Sequence, residues 1–257
     1  MSPWQVASML ASAFGAGMMN ALAGGGTILT FPVLLLLGES AITANATSTV
    51  ALLPGAAASM AGYRREVGEH RQWLTALLLP SVIGGAVGSF LLLRTPEVAF
   101  ERLAPLLVLF ATLLFLVQGA IRRWTRAHHF GTPSRGRFLA VSAVQLGVAV
   151  YGGYFGAGIG ILMLAALGFL GLSDIHAMNG LKNFFGMCIN AVAAAYFIFR
   201  GAVVWPAALI MAGAAIAGGY GGARFARRIG RDRARKAVVV IGFAITAILL
   251  LRRGLLK

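Results

Sequence analysis

Charge is what this sequence has least of. Only 11% of its 257 residues are Asp, Glu, Lys or Arg, against roughly 25% in an ordinary soluble domain. With 59% hydrophobic residues, that scarcity excludes both a water-soluble globular domain and a disordered chain, and the bilayer is the expected solvent. Cysteine is nearly absent: Cys188 stands alone, which excludes a disulfide framework and a multi-cysteine metal site, and it reads as an inert packing residue. Of the four histidines, His128 and His129 sit together in a polar stretch without further ligands, so neither a metal nor a cofactor is expected. Acidic residues number seven and none falls in a long apolar run. The net charge of +15 would suggest nucleic acid in a soluble domain. In an apolar chain, basic loops obeying the positive-inside rule account for it, and no nucleic-acid partner is expected.

What the sequence does have is apolar runs broken in a regular way. A transmembrane helix needs about 20 apolar residues, and a run of about 10 to 14 suggests a half-crossing. Trp4 to Ala23 is full length; Gly24-Gly25-Gly26 breaks it, and Thr27 to Leu37 is a half-length piece. Full spans follow near Ala41 to Gly62, Trp73 to Leu93 and Leu103 to Ile121, then a basic linker, Arg122 to Arg137. The order then recurs. Phe138 to Phe155 is apolar, Gly156-Ala157-Gly158 breaks it, and Ile159 to Leu170 is again half length. Three spans follow near Ile175 to Phe199, Val203 to Phe225 and Ala237 to Leu251. Met1-Ser2-Pro3-Trp4 has no basic start, so no cleaved signal peptide is expected.

The halves match in detail. Gly24 pairs with Gly156 at an offset of 132, Ala44 with Ala177 at 133, and Gly84-Gly85 and Gly88 with Gly218-Gly219 and Gly222 at 134. The expected fold is therefore an all-α polytopic membrane protein of two repeats. Residues 1–121 form the first, 122–137 a cytoplasmic linker and 138–257 the second. Each repeat has a glycine-broken helix and half-helix pair plus three transmembrane helices. A broken pair contributes an even number of crossings and three spans make the total odd, so the second copy is inverted relative to the first. With the loops around Tyr63–Gln72, Arg122–Arg137, Gly171–Asp174 and Arg224–Lys236 in the cytoplasm, that side holds 15 of the 22 Lys and Arg residues. Both termini then lie outside, in the periplasm of a bacterial inner membrane, although Arg252, Arg253 and Lys257 oppose this orientation. Inverted repeats with helices broken at corresponding points are the pattern of secondary transporters.

A helix broken in hydrocarbon leaves backbone groups unpaired at several kcal/mol each, so the breaks are expected to be buried in protein or to line a wet cavity. Half-helix N-termini after Gly26 and Gly158 carry roughly half a positive charge each and accept anions. The spans after the breaks are polar on one face: Asn45, Ser48 and Thr49 beside Thr47, and Asn179, Asn183, Gly186 and Asn190 at i, i+4, i+7, i+11. Such side chains also serve as hydrogen-bonding links between helices, the better reading for Thr43 and Asn190. Lys182 is the one ionisable residue well inside a span, where a charge costs at least about 2.5 kcal/mol and faces a pathway or a partner; snorkelling is the alternative. The candidate substrate-binding residues are Gly24, Gly25, Gly26, Thr27, Asn45, Thr47, Ser48, Gly156, Gly158, Asn179, Lys182 and Asn183, around a small anion. Gly84/Gly88 and Gly218/Gly222 have small-xxx-small spacing, for close helix contact within the bundle or at a homodimer interface. Asp174 is placed to cap the helix that follows, with His176 beside it able to titrate. The four Trp residues mark span ends.

The run Asn20-Ala21-Leu22-Ala23-Gly24-Gly25-Gly26-Thr27 with Phe31-Pro32, and Ala44-Asn45-Ala46-Thr47-Ser48, resembles the first signature of the sulfite exporter TauE/SafE family of membrane permeases. The second half, from Asn179-Gly180-Leu181-Lys182-Asn183 through Asn190-Ala191-Val192-Ala193-Ala194 and Gly201-Ala202-Val203-Val204-Trp205 to Gly218-Gly219-Tyr220-Gly221-Gly222-Ala223-Arg224, is similar to its second-copy pattern. The resemblance covers nearly the whole chain. It implies an inner-membrane transporter, an exporter of small sulfur-containing anions such as sulfite, sulfoacetate or related organosulfonates. The second copy reads Gly-Ala-Gly where the first has three glycines, a departure from twofold equivalence. A passive anion channel and an intramembrane enzyme are the other classes; the enzyme lacks a nucleophile–base or metal-ligand set.

Overall fold

The computed structural model describes residues 1–22, 24–61, 67–68, 71–127, 135–169, 172, 174–229 and 231–255. Ten helices are assigned there, and no strand occurs among the described residues. They are α1 (Pro3–Leu22), α2 (Thr27–Leu36), α3 (Ala41–Ala61), α4 (Arg71–Arg94), α5 (Glu97–Ala127), α6 (Arg135–Tyr154), α7 (Ile159–Phe169), α8 (Ile175–Phe199), α9 (Trp205–Ile229) and α10 (Arg231–Leu255). Most of the loop Tyr63–Gln72, and His128 with His129, lie outside the described residues. The two short helices fall where the half-length runs were expected, and both breaks are at the glycines.

Helix ends differ from the apolar runs because hydrophobicity stops before the backbone ladder does. α5 continues to Ala127 and α6 starts at Arg135, so both ends of the basic linker are helical. Trp73–Arg94, Glu97–Ala120 and His176–Phe199 are long and apolar enough to cross a bilayer, while Thr27–Leu36, Ile159–Phe169 and Val238–Leu251 are shorter apolar helices. The run ending at Leu251, expected as a full span, is thus a short apolar segment inside the longer α10. α1, α3, α6 and α9 have 20, 21, 20 and 25 residues, the length of a crossing, with apolar character diluted by glycine and small polar residues.

The packing crosses between the two halves of the sequence. α1 runs along α9, and α4 runs along α6; α3 lies against both α9 and α8, α4 against α8, and α5 against α10. Lipid tails are as apolar as leucine, so helices in a bilayer associate through close backbone approach at small residues. Glycine permits that approach here. A Cβ on Gly84 would lie 2.7 Å from the Leu146 carbonyl oxygen, and one on Gly218 2.8 Å from the Phe14 carbonyl carbon. A Cβ on Gly88 would lie 2.8 Å from the Tyr154 nitrogen. Of the two uses considered for these spacings, the structure puts Gly84, Gly88 and Gly218 at contacts within the bundle. Gly222 lies where surroundings are not described.

A buried polar pair fastens α4 to α6, and two carboxylates cap helix starts. Gln145 Nε2 on α6 donates to Ser81 Oγ on α4 at 2.9 Å. The Ile42 N–H at the start of α3 donates to Glu97 Oε1 at 3.1 Å, a cap supplied from α5. Asp174 accepts from the His176 N–H at 2.9 Å and caps α8, as its position predicts.

Gly84→Val and Gly218→Val are each expected to destabilise the protein by roughly 1–3 kcal/mol or more through overpacking. Gly213→Val, where a Cβ meets nothing within 4 Å, is the matched control. Thermal unfolding in detergent should show a clear drop in Tm for the first two only.

Candidate functional site

The two helix breaks are built by backbone that only glycine adopts readily. Gly24 and Gly25 have φ of 77° and 101°, and Gly156 and Gly158 have φ of 81° and 78°. The breaks also touch. A Cβ on Gly25 would lie 2.9 Å from Gly158 Cα, and one on Gly24 2.9 Å from Gly160 Cα. Two turns 132 residues apart in sequence therefore meet backbone to backbone.

The groups orphaned by the breaks find partners nearby. Asn20 Oδ1 accepts from the Gly26 N–H at 2.7 Å, and the Met19 carbonyl accepts from the Gly24 N–H at 3.1 Å. On the other break, Asn45 Nδ2 donates to the Tyr154 carbonyl at 3.0 Å and the Tyr151 hydroxyl donates to the Ala157 carbonyl at 2.6 Å. Thr47 Oγ1 accepts from the Val204 N–H at 3.0 Å, linking α3 to the start of α9. Ser48 and Thr30 share a hydroxyl–hydroxyl hydrogen bond between α3 and α2. Phe31, Phe100 and Phe155 pack edge to face, with centroids 5.4 to 6.4 Å apart, holding the second break against α2 and α5.

A small cavity, about 40 Å³, opens beside the meeting point. Six of the expected residues line it: Gly24, Gly25, Thr27, Gly156, Lys182 and Asn183. Six do not. The Gly26 N–H is occupied by Asn20, Asn45 holds Tyr154, and Thr47 and Ser48 are engaged between helices. Gly158 is packed on Gly25, and Asn179, though buried, is absent from the lining. In their place come Asn20 from α1, Thr49, Leu52, Ala56 and Ser59 from α3, Ile159 and Gly160 from α7, and Gly186, Met187 and Asn190 from α8. Helical spacing carries a signal for most of them. Thr49, Leu52, Ala56 and Ser59 fall at i, i+3, i+7, i+10, and Asn183, Gly186 and Asn190 at i, i+3, i+7, one face of each helix.

Lys182, Asn183 and Asn20 bring donor groups to the lining. Lys182 is 2% exposed and Asn183 8%, and Asn183 Nδ2 has no hydrogen-bond partner among the described residues. Asn20 commits its carbonyl oxygen to Gly26, leaving its NH₂ group as the end available to a ligand. Thr49 and Ser59 donate to the carbonyls of Asn45 and Gly55 on their own helix, at 3.0 and 2.9 Å, and so keep only acceptor lone pairs for the cavity. None of the described residues in the lining is acidic. Such a site complements negative charge.

The sulfite exporter TauE/SafE pattern matches residues 9–249. A "Probable membrane transporter protein" of Haemophilus influenzae is 28% identical over 94% of this chain and 92% of its own length. A "Probable membrane transporter protein ORF9" of a Sinorhizobium species is 25% identical over 95% of this chain and 92% of its own. Escherichia coli K12 has a similar protein, "Probable membrane transporter protein YfcA", 25% identical over 97% and 91%. No solved structure matches. With these relatives, the chain stands among membrane transporters and not enzymes, and its apolar helices are those of a multi-pass membrane protein. It belongs to the sulfite exporter TauE/SafE family.

Proposed function

We propose that the chain is a secondary transporter that exports small sulfur-containing anions, sulfite or organosulfonates such as sulfoacetate, across the bacterial inner membrane. The anion sits in the cavity beside the meeting point of the two breaks. The observation that carries this reading is the buried Lys182 side chain, next to the uncommitted Nδ2 donor of Asn183, on a cavity whose described lining includes no carboxylate. Asn20, Asn190, Thr27 and the glycine backbone of the breaks complete the enclosure. The sulfur chemistry rests on the family's description as sulfite exporters and on the signature runs in the sequence.

Residues 1–121 and 138–257 are read as inverted copies joined by the linker 122–137. The helix contacts support a twofold exchange. Gly84 faces Leu146 as Gly218 faces Phe14, and Gly85 faces Ile189 as Gly219 faces Gly55, pairs related by the same offsets of 132 to 134. Because α1 is bound to α9 and α4 to α6 through close glycine contacts, the rigid bodies in this reading are mixed bundles. One is α1, α3 and α9; the other is α4, α6 and α8. Rocking of one bundle against the other, with the breaks and the cavity between them, alternates access. A proton or the membrane potential drives the cycle. Arginine-rich loops inside, and both termini in the periplasm, complete the orientation.

Lys182→Met and Asn183→Leu should each weaken sulfite or sulfoacetate binding about tenfold or more, since hydrogen bonds to charged groups contribute roughly 1.5–3 kcal/mol. A thermal-shift titration with sulfite, sulfoacetate, taurine, thiosulfate and sulfate reads this directly; unchanged affinity in Lys182→Met would remove the site. Asn45→Ala, in contrast, leaves the Tyr154 carbonyl without its donor and should lower Tm by more than it lowers affinity.

Carrier and channel separate by counterflow: liposomes preloaded with unlabelled anion should accumulate labelled anion transiently, and a pore would show none. Replacing the lone cysteine (Cys188→Ser) permits an orientation test. Ser2→Cys should react with an impermeant thiol reagent in intact cells, and Phe130→Cys only after lysis. The reverse pattern would invert the topology.

A further inference from the structure

The cavity contains one glycine that the backbone does not need. Gly24, Gly25 and Gly156 have left-handed φ, and Gly160 lies in van der Waals contact with Gly24. Gly186 has neither reason. It is in the middle of α8 with ordinary helical geometry, and a Cβ built on it meets nothing within 4 Å. A glycine inside a helix is destabilising relative to alanine, and here no neighbouring helix requires the missing side chain. Gly136, Gly147, Gly213 and Gly221 are also helical with open space around a Cβ, but the first three are exposed and none of the four lines the cavity. The open space at Gly186 is the cavity itself.

Position sharpens the point. Gly186 follows Asn183 by one helical turn and precedes Asn190 by another on the same face, so bare backbone forms a notch between two amide side chains. The face of α3 in the lining presents Leu52 and Ala56 between Thr49 and Ser59, and Met187 adds an apolar wall from α8. The lining therefore has two characters: a donor-rich part around Lys182 and Asn183, and an apolar part around Leu52, Ala56 and Met187.

We propose that Gly186 is the size-determining residue of the substrate site: its notch takes the uncharged remainder of an anion whose headgroup is held by Lys182 and Asn183. This rests on the anion-binding reading of the same cavity. Among the anions of that reading it favours small sulfonates with a short apolar substituent, because the described lining joins donor groups to a short apolar wall. A methyl group at position 186 would project into this open space and shorten the longest ligand that fits.

The test uses the full-length protein in proteoliposomes. Sulfite, methanesulfonate, ethanesulfonate and propanesulfonate compete against counterflow of labelled sulfite, for the wild type, Gly186→Ala, Gly186→Val and the outward-facing control Gly147→Ala. The expected result is a ratio of propanesulfonate to sulfite inhibition constants raised at least tenfold in Gly186→Ala and further in Gly186→Val. Gly147→Ala should keep the wild-type ratio. If a Gly186 variant carries no counterflow, the same ratio is read from thermal-shift titration of the monodisperse protein. The proposal is overturned if the ratio stays at the wild-type value in both Gly186 variants. It is also overturned if the wild type accepts sulfite and rejects every alkanesulfonate. Neither result touches the anion-transport reading, which fails separately if the wild type neither binds nor exchanges any of the four.

Discussion

The constraint on which this structure depends is that backbone N–H and C=O groups in a bilayer have no water to turn to. An unbroken helix meets it internally. A helix interrupted at Gly24-Gly25-Gly26, or at Gly156-Ala157-Gly158, does not, and each lost partner costs several kcal/mol. The side chains around the breaks answer that cost: Asn20 takes the Gly26 N–H, Asn45 the Tyr154 carbonyl and Tyr151 the Ala157 carbonyl. Each break also packs directly on the other, excluding lipid from both. Polar residues near a broken helix thus divide into those that repair the backbone and those left over for a ligand.

That division explains which of the polar residues singled out in the sequence reach the cavity. Lys182 and Asn183 stand out in the sequence because they are polar groups in the middle of an apolar run, and both are at the cavity. Asn45, Thr47 and Ser48 stand out equally, on the same argument, yet they hold Tyr154, Val204 and Thr30. Nothing in their spacing distinguishes the two employments, because the partners are main-chain groups 109 and 157 residues away for Asn45 and Thr47. Asn20 had the opposite fate. It belongs to the signature run before the first break, and its place in the lining depends on a turn that folds it back over Gly26.

Close packing links the breaks to movement. Gly84 against Leu146 and Gly218 against Phe14 bring whole helices into contact through their backbones, and such contacts tolerate little sliding. They tie the first helix of each half to the fourth of the other. In the proposed cycle motion runs between these cross-linked bundles, and the cavity lies where α1 and α3 of one meet α8 of the other. The polar stripe of α8 and the small-residue face of α3 are what the two bundles present to each other there.

Composition alone determined the solvent, and the glycines alone determined where the helices stop, because left-handed φ is a local property that few other residues tolerate. The order of long and short helices was legible for the same reason. What only the tertiary structure decided was which distant groups meet: that the first break lies on the second, that α1 belongs with α9, and that Asn45 and Thr47 are engaged in holding the backbone. Hydrophobic periodicity reports whether a face is buried. It carries no information about what that face is buried against, and the choice between repairing a broken helix and facing a ligand is made by that neighbour.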